Sequence, residues 1–131
     1  MTIQNLREKI VLEYPIKASL TSLYYSLSNP SGLESWFADR VDGYDDYFMF
    51  YWDGDQQRAD NIEIESNEFI RWQWNDREGD DEYLEFRLVR EEVGGGMLLV
   101  VTDFVDNDEI EDATLLWNEQ VKMLKRKLGC S

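Results

Sequence analysis

From residue 8 the chain alternates, with Ile10, Leu12 and Tyr14 on one side and Glu13 on the other. That period of two over 8–14 predicts a strand, and Pro15, which has no N–H for a ladder, is expected to close it. Over 19–28 the period changes. Leu20, Leu23, Tyr24 and Leu27 recur at helical spacing, and Asn29-Pro30 ends the helix, because a proline disfavours helical geometry in the residue before it. Leu33, Trp36 and Phe37 predict a second short helix at about 31–38. From residue 40 onward, turn residues at 43–46, 53–55, 66–67, 75–81 and 94–96 separate short aromatic and β-branched segments. These predict strands at about 40–43, 46–52, 56–65, 68–75, 82–91 and 97–105. Ile62 and Ile64 oppose Glu63 and Glu65; Ile70, Trp72 and Trp74 oppose Arg71 and Gln73; Leu84, Phe86 and Leu88 oppose Glu85 and Arg87. A sheet built from such segments has one dry and one wet face, and its short connections make neighbours antiparallel.

The last segment is helical. Between Glu109 and Leu128 the apolar residues Ile110, Ala113, Trp117, Val121, Leu124 and Leu128 fall at steps of three and four, a single stripe. Acidic residues at 106–112 and basic ones at 122–127 complement the helix dipole, and Gly129 stands where a left-handed cap is expected. At 1.5 Å per residue the helix is about 30 Å long. It is the one element large enough to cover the dry face of a sheet. The expected fold is therefore α+β: a curved antiparallel sheet of about seven strands, two short helices after strand one, and a long C-terminal helix packed across the sheet. With no linker, repeat or low-complexity tract, residues 1–131 are expected to form a single domain.

Composition narrows the function. The net charge of −15 repels phosphate backbones and anionic bilayers, so neither nucleic acid nor membrane is an expected partner. The longest apolar run, Met97 to Val101, is too short to span a bilayer, and the polar N-terminus carries no apolar signal region; a cytoplasmic location is expected. The one cysteine, Cys130, has no partner for an internal disulfide. With no histidine, the chain lacks the commonest general base and transition-metal ligand. The acidic run 106–112 resembles a calcium loop but lacks its sixth-position glycine and has Ile110 at a ligand position. It is better read as helix N-terminal charge, and no metal or cofactor is expected.

Three stretches carry a resemblance. Tyr14-Pro-Ile-Lys-Ala-Ser-Leu-Thr-Ser-Leu-Tyr24 looks like the opening strand-to-helix segment of the START-like superfamily, also called SRPBCC or helix-grip. Asn29-Pro-Ser-Gly-Leu-Glu-Ser-Trp-Phe-Ala-Asp39 is similar to the Trp-Phe segment of its branch named for the activator of heat-shock-protein-ninety ATPase. Leu116-Trp-Asn-Glu-Gln-Val-Lys-Met-Leu-Lys-Arg-Lys-Leu-Gly129 looks like the closing helix. The resemblance spans essentially the whole chain. It implies the helix-grip fold, with an apolar cavity between helix and sheet that in this superfamily binds lipids, sterols or polyketide-like molecules. No shared catalytic pattern transfers with it.

The expected ligand is thus a small hydrophobic molecule. The residues expected to line its cavity are Trp36, Phe48, Phe50, Trp72, Trp74, Phe86, Trp117 and Val121, since pockets are mostly apolar and aromatic. The same rings could instead close-pack as core. Thr102, placed on the inner face of its strand with Leu98, Val100 and Phe104, and Gln120, beside the helix stripe, are the expected polar anchors. Tyr24 and Tyr51 offer hydroxyls, and Asp39 and Asp103 are the carboxylates whose burial would matter. The alternative is a protein-interaction module, chaperone-associated as the related branch implies, existing as a monomer or homodimer. A cyclase- or aromatase-like enzyme ranks third, because without histidine it would rely on carboxylate or tyrosine chemistry.

Overall fold

Alternating segments pair in chain order to build the sheet. The computed structural model describes residues 6–77 and 81–130. The elements are β1 (Arg7–Ile16), α1 (Leu20–Ser28), α2 (Pro30–Glu34), β2 (Arg40–Gly43), β3 (Phe48–Trp52), β4 (Asp55–Glu65), β5 (Phe69–Trp74), β6 (Leu84–Arg90), β7 (Met97–Asp106) and α3 (Ile110–Lys127), with a single 3-10 turn at Asn75–Arg77 between β5 and β6. The seven strands form one open antiparallel sheet in the order β1-β7-β6-β5-β4-β3-β2. The α+β architecture expected from the pattern is the one observed, and it is the helix-grip arrangement that the resemblance implies.

Two boundaries differ from expectation. Pro15 does not end β1, which runs on to Ile16 opposite Met97. As an edge strand, β1 tolerates the missing donor. The second helix stops at Glu34, so Trp36 and Phe37 lie in the turn beyond it. There, backbone N–H groups of residues 36, 37 and 38 converge on the Leu33 carbonyl, which ends the helix and aims both rings at the sheet. In β4 the ladder slips between Asp60 and Glu63, with Asn61 at φ 53°. Asparagine takes this left-handed conformation readily, and its side-chain amide donates to Gln73 at 2.6 Å.

The core lies between the sheet's inner face and the three helices. It joins Ile10 and Ile16 of β1, Phe48 and Phe50 of β3, Ile70 and Trp72 of β5, Leu84 and Phe86 of β6 and Leu99 and Val101 of β7 to Leu23, Leu27, Leu33, Trp117, Val121 and Leu124. α3 buries the expected stripe and ends as expected. Gly129, at φ 76°, lets its own N–H reach Arg126 O and the Cys130 N–H reach Lys125 O. Tyr14 ties the helix to β1 by donating its hydroxyl hydrogen to Asn118 Oδ1 at 2.7 Å.

The outer face carries two buried acids, Asp60, paired with Arg58 at 2.7 Å, and Glu85. Glu85 is 6% exposed and takes hydrogen bonds from Arg71 (2.6 Å) and Arg87 (3.1 Å). Burial opposes its ionisation, but the hydrogen bonds and charges of Arg87 and Arg71 outweigh that, and its pKa falls below the ordinary 4.5. A depressed pKa means stability that is present above the unfolded-state value and lost as pH falls through the folded one. Glu85→Gln is therefore expected to cost about 2 kcal/mol at pH 7, discounted for the half-exposed arginines. In urea titrations the gap from wild type should narrow toward pH 3. A gap that is constant with pH would show that Glu85 contributes shape and not charge.

Candidate functional site

Inner-face rings meet α3 imperfectly at one end of the sheet, and a cavity of about 380 Å³ remains there. The sheet contributes Trp52, Trp74, Leu84, Asp103 and Val105; α3 contributes Ala113, Leu116, Trp117 and Gln120; Phe37 closes the end. Sequence pattern explains these positions. Trp52 and Trp74 continue the inner faces of β3 and β5, and Ala113, Trp117 and Gln120 follow one another at helical steps. Ala113 is the small residue of the stripe, so the space opens beside it. Two further cavities adjoin. One of about 480 Å³ shares Phe37, Trp52 and Gln120 and adds Trp36, Asp39, Met123 and Lys127. The other, of about 240 Å³, shares Trp74 and Asp103 and is otherwise polar, with Arg7, Arg77, Glu82 and Tyr83.

Asp103 is the acidic group of the apolar cavity. Its Oδ2 accepts from Trp117 Nε1 at 3.0 Å and its Oδ1 from the Phe104 backbone N–H at 2.8 Å. Burial pushes its pKa up; the two N–H donors and Arg7 only partly counter this, and Glu82 adds to it. On the polar side Arg7 is already committed, donating to Glu82 (2.7 Å), Asp106 (3.1 Å) and Phe104 O (3.0 Å). The Glu82 carboxyl is held below its usual range mainly by that hydrogen bond.

The expected cavity residues divide into three groups. Trp74, Trp117 and Gln120 line the 380 Å³ space, and Trp36 lines its neighbour with Gln120. Phe50, Trp72 and Phe86 are fully buried in the close-packed core with ring centroids 5.1–5.6 Å apart, and Phe48 packs on Phe50 at 6.2 Å. None of these four lines the three cavities. Val121 is buried under α3, facing a surface hollow with Tyr14 and Lys125. The Trp72 N–H has no oxygen partner and sits among the rings of Phe37, Phe50, Trp74 and Phe86. A ring face is an acceptor, though a weak one.

Thr102 needs correction. It pairs with Glu85 and Val11, both on the outer face, so the inner face of β7 carries Met97, Leu99, Val101, Asp103 and Val105. β7 is apolar on both faces, so alternation alone could not orient it. Asp39 lies exposed at the rim of the 480 Å³ cavity, while Asp103 is half-buried in the wall of the 380 Å³ one. Tyr51 points to the opposite face, under Arg40 (4.7 Å), and Tyr24 lies away from the cavities. Phe37 and Trp52 were not among the expected lining residues. The signal for Trp52 was its phase with Phe48 and Phe50.

Among the described residues Asp106, Asp108 and Glu109 bring three carboxylates within 4.8 Å of one another, but Arg7 already pairs with Asp106. No helix among the described residues is long and apolar enough to cross a membrane.

A family model described as a START-like superfamily domain matches residues 5–130. BfR322 from Bacteroides fragilis is 38% identical, the match covering 92% of this chain and 90% of that one, with a TM-score of 0.63. The Aha1 dimer from Colwellia psychrerythraea is 20% identical over 92% and 96% of the two chains, with a TM-score of 0.75. CalU16 from Micromonospora echinospora is 17% identical over 98% and 77%, with a TM-score of 0.71. The last two likenesses show the shared fold. Among proteins of curated function, none matches.

Proposed function

This chain belongs to the START-like superfamily, and from that membership we propose that it works as a single binding domain, holding a small, largely apolar molecule between α3 and the sheet. The observation that carries this reading is the 380 Å³ space walled by Phe37, Trp52, Trp74, Leu84 and Trp117. Its size and lining suit a compact ring-bearing ligand. Burying about 300 Å² of apolar ligand surface contributes a gross ~7 kcal/mol. Association takes about 3 kcal/mol of that, which leaves a Kd of roughly 1 mM for an unoptimised hydrocarbon probe.

Naphthalene tests the reading. It is expected to quench tryptophan fluorescence saturably in this range. Ala113→Phe, which places a ring in the cavity from the helix side, should weaken binding at least tenfold while the protein stays folded by circular dichroism. Absence of saturable quenching, or an Ala113→Phe variant that binds as wild type does, would reject the cavity as a binding site.

A further inference from the structure

The apolar cavity contains a carboxylate that forms no ion pair among the described residues. Asp103 lies in its wall beside Trp52, Trp74 and Trp117, with Phe37 closing the end. Arg7, a basic group whose charge acts on it, spends its donors on Glu82, Asp106 and the Phe104 carbonyl. The two N–H groups that hold Asp103 occupy one lone pair on each oxygen, and a carboxylate has about four acceptor positions. Every other cavity-lining group is apolar, aromatic or, in Gln120, a neutral amide.

We infer that the ligand of this site is an organic cation, a protonated or quaternary amine carried on a compact apolar body, with its charged end at Asp103 and its body against Trp52, Trp74 and Trp117. The inference rests on the cavity being a binding site and names what it selects. A neutral hydrocarbon would cover Asp103 and strip it of water with nothing in return, which costs free energy. A cation meets a carboxylate in a low-dielectric wall and ring systems whose faces attract positive charge. A weakly hydrated alkylammonium loses less on leaving water than a metal ion or a primary ammonium with a full hydration shell. The net charge of −15 adds long-range attraction for cations and repulsion for anionic ligands.

The preference must depend on pH. Asp103 attracts a cation only when ionised, and burial raises its pKa, so cation affinity falls as pH drops through the acid range while affinity for a neutral molecule does not. The charged groups around Asp103 are Arg7 on β1, Asp76 and Arg77 on the 3-10 turn, Glu82 ahead of β6 and Asp106 at the end of β7. From α3 only the neutral Ala113, Leu116, Trp117 and Gln120 face it.

Benzyltrimethylammonium and its carbon isostere neopentylbenzene differ in one atom and one charge, and tryptophan quenching reads both. At pH 8 the cation is expected to bind at least tenfold more tightly. The ratio should shrink toward unity as the pH falls through the acid range, and Asp103→Asn should abolish it at pH 8 with neopentylbenzene affinity unchanged or tighter. The wild-type pH profile decides the matter even if that variant folds poorly. Equal or tighter binding of neopentylbenzene at pH 8 would overturn the cation assignment and leave the cavity standing. Failure of both probes would overturn the cavity with it. A cation preference unchanged by pH and by Asp103→Asn would place the charge somewhere other than Asp103.

Discussion

Phe37→Ala is expected to remove about 3–5 kcal/mol of folding free energy, the range for deleting a large buried ring. Phe37 is 5% exposed and touches six aromatic rings: Trp36, Phe50, Trp52, Trp72, Phe86 and Trp117, with centroids 5.3–5.9 Å away. It stacks on Trp117 at 16° and meets Phe50 and Phe86 edge-on, at 86° and 84°. These partners come from the turn after α2, from three strands (β3, β5 and β6) and from α3, so no single element can move to fill the hole. Its backbone carbonyl also accepts the Trp52 N–H at 2.9 Å, a bond that the truncation leaves in place. The loss is therefore one of packing. Urea denaturation followed by circular dichroism would measure it, with Phe37→Leu as the control, at a cost of about 1–2 kcal/mol. Because Phe37 also closes the ligand cavity, the alanine variant should lose affinity for naphthalene as well. A cost below 1 kcal/mol would mean that the rings slide into the gap and that the core is loosely packed.

Gly32→Ala is expected to cost about 3 kcal/mol or more, the upper part of the range for forcing atoms into a filled space. A Cβ at position 32 would stand 2.2 Å from the Tyr25 carbonyl oxygen and 2.7 Å from the Ser26 Cα. Both are backbone atoms of α1, so rotating a side chain cannot relieve the clash. The constraint is closeness of approach, since Gly32 has ordinary helical geometry. α2 must sit this close because Trp36, just past its end, donates its indole N–H to the Ser26 carbonyl at 2.8 Å. Displacing α2 would stretch that bond and withdraw Trp36 from Phe86 (5.5 Å). Thermal unfolding together with the tryptophan emission maximum would report both effects: a lower midpoint and a red shift. An unshifted emission spectrum with wild-type stability would show that α1 and α2 part freely.

Much of the architecture could be read along the chain because it depends on local periodicity. The alternation in 68–75 and 82–91 marked β5 and β6, and the stripe from Ile110 to Leu128 marked α3 and its buried side. The Gly129 cap followed from its place after a basic last turn, where only a residue at ease with positive φ lets the Lys125 and Arg126 carbonyls be satisfied. The site was less legible. Trp74, Trp117 and Gln120 could be placed beside a cavity because they continue inner-face patterns. Nothing in their spacing could separate Trp72, which is core, from Trp74, which borders open space two residues later.

The list of elements, their order and the dry side of each amphipathic segment follow from periods of two and about 3.6 residues acting over a few neighbours, and so are written in the chain. The orientation of β7, whose apolar residues on both faces give no phase, was set by its neighbours in the sheet. Pairing with β6 fixed it, opposing Thr102 to Glu85 and turning Asp103 inward. The same assembly decided that Phe37 fills the centre and that space remains beside Ala113. An open hollow, and a half-buried carboxylate in its wall, are properties of how distant side chains fit together, and no local pattern encodes that fit.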